Sequence, residues 1–187
     1  MANKAAAFGL RPIGKVGQNR DNQGLSEYDI AASATAIFQN DPVEMAATGT
    51  ITVAAATDTL LGSLTGVFFT DASTSKPTFA NHLDASNTAT DIKGFVSDDP
   101  YERFEVQADG ATAAADVGLN ADIVYAAGSS PDYVSKVELQ TSDQKTGTAQ
   151  LRILGISKDI ENNEAGSANV NFVTIINEHQ LKVTTGV

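Results

Sequence analysis

The chain has 187 residues, no cysteine, no tryptophan and a formal net charge of −11. Without thiols it has no disulfides, thiolate metal sites, iron–sulfur clusters or thiol nucleophiles, and no apolar run approaches the roughly 18 residues of a membrane span. Hydrophobic types make up 42%, but 28 of those residues are Ala and only 44 are Val, Ile, Leu or Phe; that is still enough, at this length, to hold a core without staples.

Residues 1–20 carry Lys4, Arg11, Lys15 and Arg20 and no acid, for a charge of +4. The remaining residues hold 8 basic and 23 acidic side chains, for −15. A body of that sign repels nucleic acid and anionic membranes, because neutralising phosphate needs Lys and Arg. The basic segment, rich in Gly, Asn and Gln, reads either as an extended arm over residues 1–24 that lies on an acidic neighbour or as a frayed, solvated terminus. Ala5–Leu10 stops at Arg11-Pro12, too short for a secretory apolar region. Phe8 and Leu10 have no local core to join. They read either as anchors docking into another subunit or as residues folding back on their own body.

From residue 25 onward the pattern is one of short strands and frequent turns. Leu25–Ala32, Thr35–Gln39 and Val43–Ala46 are predicted strands, with Asn40-Asp41-Pro42 as a turn. Thr50–Val53 follows, rich in β-branched residues, and then Gly66–Thr70. Residues 71–91, full of Ser, Thr, Asn and Asp, read as a long polar loop or insertion. Ile92–Ser97 and Arg103–Gln107 resume the strands, the latter alternating strictly, polar out and apolar in. Ala111–Val117 suits a short helix stopped by Gly118. Ala121–Tyr125, Tyr133–Gln140, Leu151–Ser157 and Val170–Glu178 complete the set. The last two are the most apolar and belong in the middle of a sheet. About ten short strands predict an all-β sandwich or barrel over residues 25–187.

Chemistry-bearing motifs are scarce. There is no nucleophile elbow, no phosphate loop and no His-Glu-x-x-His. His82 and Glu178-His179 stand alone. Asp98, Asp99, Glu102, Glu105, Asp109, Asp116 and Asp122 crowd one region, yet their spacing matches no EF-hand loop. Turn formation and solvation account for them more simply, so no metal or cofactor is expected. The missing Trp counts against a glycan hydrolase. The expectation is a non-enzymatic structural protein that works by assembly.

Particular residues carry a resemblance. Ala6-Ala7-Phe8-Gly9-Leu10-Arg11-Pro12, Gly17, Asn22-Gln23-Gly24, Glu27-Tyr28 and Ile30-Ala31 resemble the start of a virion structural protein of tailed bacteriophages, as in marine phages including those of cyanobacteria. Phe38, Asp41-Pro42-Val43, Gly49-Thr50, Gly66-Val67-Phe68, Lys76-Pro77-Thr78-Phe79, Asp98-Asp99-Pro100, Phe104-Glu105-Val106-Gln107, Leu151–Gly155 and Ile175–His179 extend it along nearly the whole chain. The resemblance implies a capsid decoration, or cement, protein on the outer surface of the virion. Its partners would be the major capsid protein and itself, as a homotrimer, with no nucleic acid and no membrane. It would clamp shell subunits against the pressure of packaged DNA. Another virion component (tail, connector or shell) and a glycan-binding surface module are the alternatives. On the arm reading, the contact residues are Phe8, Leu10, Arg11, Ile13, Lys15 and Arg20.

Overall fold

A computed structural model describes residues 2–17 and 24–182. Thirteen strands follow in chain order: β1 Arg11–Lys15, β2 Ser26–Asp29, β3 Pro42–Met45, β4 Ile51–Val53, β5 Gly62–Thr70, β6 Pro77–Ala80, β7 Lys93–Ser97, β8 Glu102–Gln107, β9 Asn120–Ala121, β10 Ile123–Val124, β11 Glu138–Leu139, β12 Leu151–Ile156 and β13 Asn171–Ile176. The only helix among the described residues is a single 3-10 turn, Ala114–Asp116. The fold is all-β, a sandwich-type assembly of antiparallel sheets.

One sheet has five strands in the order β1-β8-β13-β12-β9. As their apolarity predicts, β12 and β13 lie in its interior. A second sheet runs β2-β7-β5-β3-β4. Its nine-residue β5 has β7 along one edge, while β3 and then β6 share the other. A third, small sheet pairs β10 with β11.

Each large sheet has its own core. Phe104, Val106, Leu151, Ile153, Phe172 and Ile176 of the five-stranded sheet pack with Ile123, Val137 and Leu139, closed by Leu10. Val43, Ile51, Leu64, Val67 and Val96 of the other sheet pack with Ile30, Ile37, Leu83 and Ile92. Fully burying a large aliphatic or aromatic side chain contributes roughly 1.5–3 kcal/mol, so these two clusters are the main source of stability.

Two expectations need correction. Residues 2–17 are not a free arm: β1 pairs antiparallel with β8, Arg11 opposite Glu105 and Lys15 opposite Glu102. Pro12 is tolerated because β1 is an edge strand, where one missing N–H breaks no central ladder. The 71–91 stretch is not a structureless loop either. Asp71 organises its start by accepting hydrogen bonds from Ser73 and Thr74. β6 then pairs with β5, and Leu83, 1% exposed, bridges to Ile37.

Bonds across the two halves make them one body. Leu10 N–H donates to the Asn40 carbonyl at 2.9 Å. Gln150 Nε2 donates to the carbonyls of Ala55 and Asp58 at 2.9 and 2.7 Å. The segment after β13 crosses over as well: Leu60 N–H donates to Glu178 O and Gln180 N–H to Leu60 O, both at 2.9 Å. The Gln180 side chain then brackets Met45, accepting from its N–H at 2.7 Å and donating to its carbonyl at 3.2 Å.

Candidate functional site

The described residues among those expected to make external contacts gather around β1, where most of them touch the chain's own body. Leu10 is 0% exposed. Gly9 before it has φ +73, and a Cβ there would lie 2.3 Å from the Asn40 carbonyl oxygen, so only glycine lets the chain come this close. Phe8 lies beneath the Arg11 guanidinium, 4.5 Å from ring centroid to Cζ, a cation–π contact. Arg11 also pairs with Glu105, which accepts from Ser157 on its other oxygen. Lys15 pairs with Asp99 at 2.8 Å, and this cation holds the Asp99 carboxyl below its usual range. Lys4 pairs with Glu161 at 2.9 Å. The basic segment therefore does lie on an acidic neighbour, and the neighbour is its own body. Of the expected contact residues that are described, Leu10 alone is buried; Arg11 and Ile13 are exposed, Ile13 at 42% beside the irregularity between Pro12 and Gly14. Arg20 lies outside the described residues.

Beside β1 a cleft of about 520 Å³ opens between the two large sheets. Arg11, Pro12, Leu25, Gln39, Asn40, Thr65 and Ser97 line it. Its polar groups are amides, hydroxyls and one guanidinium, all able to donate hydrogen bonds. None is a carboxylate or imidazole that could move a proton, so this lining can recognise a ligand but offers no general acid or base.

Most of the acids that crowd one stretch of sequence are engaged by hydrogen bonds and ion pairs, each with its own partners. Asp98 accepts from the Tyr28 hydroxyl at 2.6 Å, and burial together with this carboxylate pushes the phenol up to about 12. Glu102 accepts from Gly14 N–H at 2.9 Å, and burial raises its carboxyl. Asp109 accepts from Thr141, Asp116 from Ala113 N–H, and Asp122 from Lys145 and Gln150 N–H. Among the described residues no three His, Cys, Asp or Glu stand together as a metal set.

The histidines sit at the junction of the two halves. His82 stacks flat on Tyr133, with centroids 3.8 Å apart. Fully buried His179 accepts from Leu181 N–H on Nδ1 at 3.1 Å. Burial is the main cause that takes its imidazole down to about 4. Asp41, equally buried, accepts from Phe38 N–H at 2.8 Å, and burial pushes its carboxyl up to about 6.

One feature escaped sequence reasoning: a cluster of Phe68, Phe79 and Phe95 on the outward face of the six-stranded sheet. The sequence does hold a signal for it. Phe68 and Phe69 are consecutive in a strand and must point to opposite faces, so one of them had to leave the core. No family model matches the chain, and no curated protein and no solved structure matches it either.

Proposed function

We propose that this chain is a non-enzymatic virion structural protein, a capsid decoration protein. It binds the outer capsid surface and clamps major capsid protein subunits against packaged DNA. The observation that supports this reading is mechanical. The segments 2–10 and 178–182 are both sewn across the body by hydrogen bonds distant in sequence. Asn3 donates to the carbonyls of Glu164 and Ala168, the Lys4 carbonyl accepts from Gln107 and Asn162, and Gln180 brackets Met45. A clamp must carry load without unravelling from a loose segment, and this arrangement resists that. Several linked copies would bind by avidity even where each contact is modest, and a trimer would match a three-fold position of the lattice.

Cryo-electron microscopy of the intact particle tests the proposal. Density for this chain at three-fold positions over the shell is expected. An empty shell surface, with the chain found at the tail or connector, would overturn the clamp. The cleft beside β1 supports a second reading, a glycan-binding module, because its amides and hydroxyls suit neutral sugar hydroxyls. Calorimetric titration with host surface polysaccharide tests that reading, and absence of heat would remove it.

A further inference from the structure

Neither core absorbs the aromatic cluster on the six-stranded sheet. Phe69 and Val67 of β5 face inward to the core, so Phe68 between them faces out. Phe79 of β6 lies opposite Phe68 in register, with ring centroids 4.8 Å apart and planes tilted by 51°. Phe95 of β7 stacks on Phe79 as well, with centroids 6.3 Å apart and planes 16° from parallel. Phe79 itself is 73% exposed. Three phenylalanines held against one another on a sheet face, with the central ring in water, form an aromatic anchor of the kind that dominates protein interfaces.

The rim of this cluster is acidic. Along β2, Glu27 lies opposite Phe95 and Asp29 opposite Lys93. Both acids are bridged by Lys93, at 3.4 and 2.7 Å, and both remain more than half exposed. At the far end of β5, exposed Asp91 accepts from Thr70 N–H at 3.0 Å. Three carboxylates thus surround the patch against one ammonium, while the turn beyond adds Asp71 and Lys76, one of each sign.

We propose that the outward face of β6, β5, β7 and β2 is a docking surface for a basic protein face that presents an apolar side chain ringed by Lys or Arg. Charge complementarity selects this occupant. Opposite potentials steer encounter and fix the docking register, whereas like charges facing each other weaken it. A second copy would bring the same acidic rim against this one, and nucleic acid or an anionic membrane would bring phosphates. This deepens the decoration reading, and rests on it only in the choice of the major capsid protein as the first partner to test.

The test adds full-length protein to shells of the major capsid protein lacking this chain, with occupancy read by co-sedimentation at rising salt. Phe79→Asp is expected to lower occupancy roughly tenfold or more while its melting curve stays that of a folded protein. Glu27→Lys with Asp29→Lys is expected to weaken binding and flatten its salt dependence. Wild-type occupancy by Phe79→Asp would overturn the surface and leave the decoration reading standing. Failure of the wild type to bind shells would remove the decoration reading instead. A photo-crosslinking residue at position 79 in intact particles then decides the surface. An adduct with a different, basic protein upholds it; no adduct, or an adduct with a second copy, overturns it.

Discussion

Ser63 donates its hydroxyl to the carbonyl oxygen of Leu10 across 2.6 Å, and both residues are fully buried. A residue from the basic segment is thereby fixed to the central strand of the other sheet while its side chain fills the first core. Leu10→Ala is expected to destabilise the fold by about 2–5 kcal/mol, the range for emptying a buried leucine site. Removing residues 2–10 altogether should lower the melting temperature sharply, since it also uncovers Gln107 and Asn162. A truncated chain that melts like the full one would show that this segment is a detachable arm after all.

Gly9→Ala isolates backbone geometry from side-chain loss. The methyl would meet the Asn40 carbonyl and Ser135 Cβ at 2.3 and 2.5 Å, on a backbone already at φ +73. A cost of at least about 1–3 kcal/mol is expected from the conformation alone, with the clash added to it. Urea denaturation gives the value, and a change below half a kcal/mol would contradict the close approach.

Arg11 and Glu105 form a pair of unequal burial, the acid side chain 7% exposed and the guanidinium 48%. Arg11→Met leaves a buried carboxylate with Ser157 as its remaining side-chain partner. A double-mutant cycle with Glu105→Gln is expected to give a coupling energy of about 0.5–3 kcal/mol. Additive losses would mean that the two side chains act independently.

Acid dependence separates two buried groups of opposite sign. Asp41 titrates near 6 in the folded protein against an ordinary 3.8, so the fold binds its proton more tightly than the unfolded chain. That contribution is complete below about pH 4 and is lost as pH rises through 6. His179 titrates near 4 against an ordinary 6.5. Its neutral form belongs to the fold, so its contribution is complete above about 6.5 and lost as pH falls toward 4. Each shift corresponds to roughly 3 kcal/mol, and between pH 4 and 6 the two slopes oppose. Asp41→Asn should therefore make stability fall faster than wild type on acidification from pH 6.5 to 4, and His179→Gln should make it fall more slowly. Melts across that range check both, and parallel slopes for all three proteins would refute the assignment.

The sheet interiors were legible because β12 and β13 combine apolar runs with β-branched residues, a pattern that central strands need. β1 was not. Arg11-Pro12-Ile13-Gly14-Lys15 has low strand propensity, and its ladder exists only because β8 stands ready beside it. β6 is short and begins at Pro77, which turn chemistry masks. The strict alternation of Arg103–Gln107 predicts polar side chains outward, yet Glu105 and Gln107 are 5% and 1% exposed. The polar face of that strand is covered by residues 4–11, a partner almost a hundred positions away that local periodicity cannot reveal. Thr35–Gln39 has the residues of a strand but makes only two isolated bridges, through Ile37 and Gln39.

The topology also orders events on the ribosome. Every strand of the six-stranded sheet comes from residues 26–97, so that sheet can close once about half of the chain has emerged. The five-stranded sheet cannot: β1 waits for β8, and β8 needs β13, whose last residue is Ile176. Contacts so distant in sequence slow the final step. Until then the nascent chain carries a completed half beside a β1–β8 pair whose β13 edge is open, and Phe104 and Val106 lack the core residues of β12 and β13. Synthesis rate and chaperone supply while residues 108–176 emerge should therefore govern the yield of folded protein more than they do while residues 26–97 emerge.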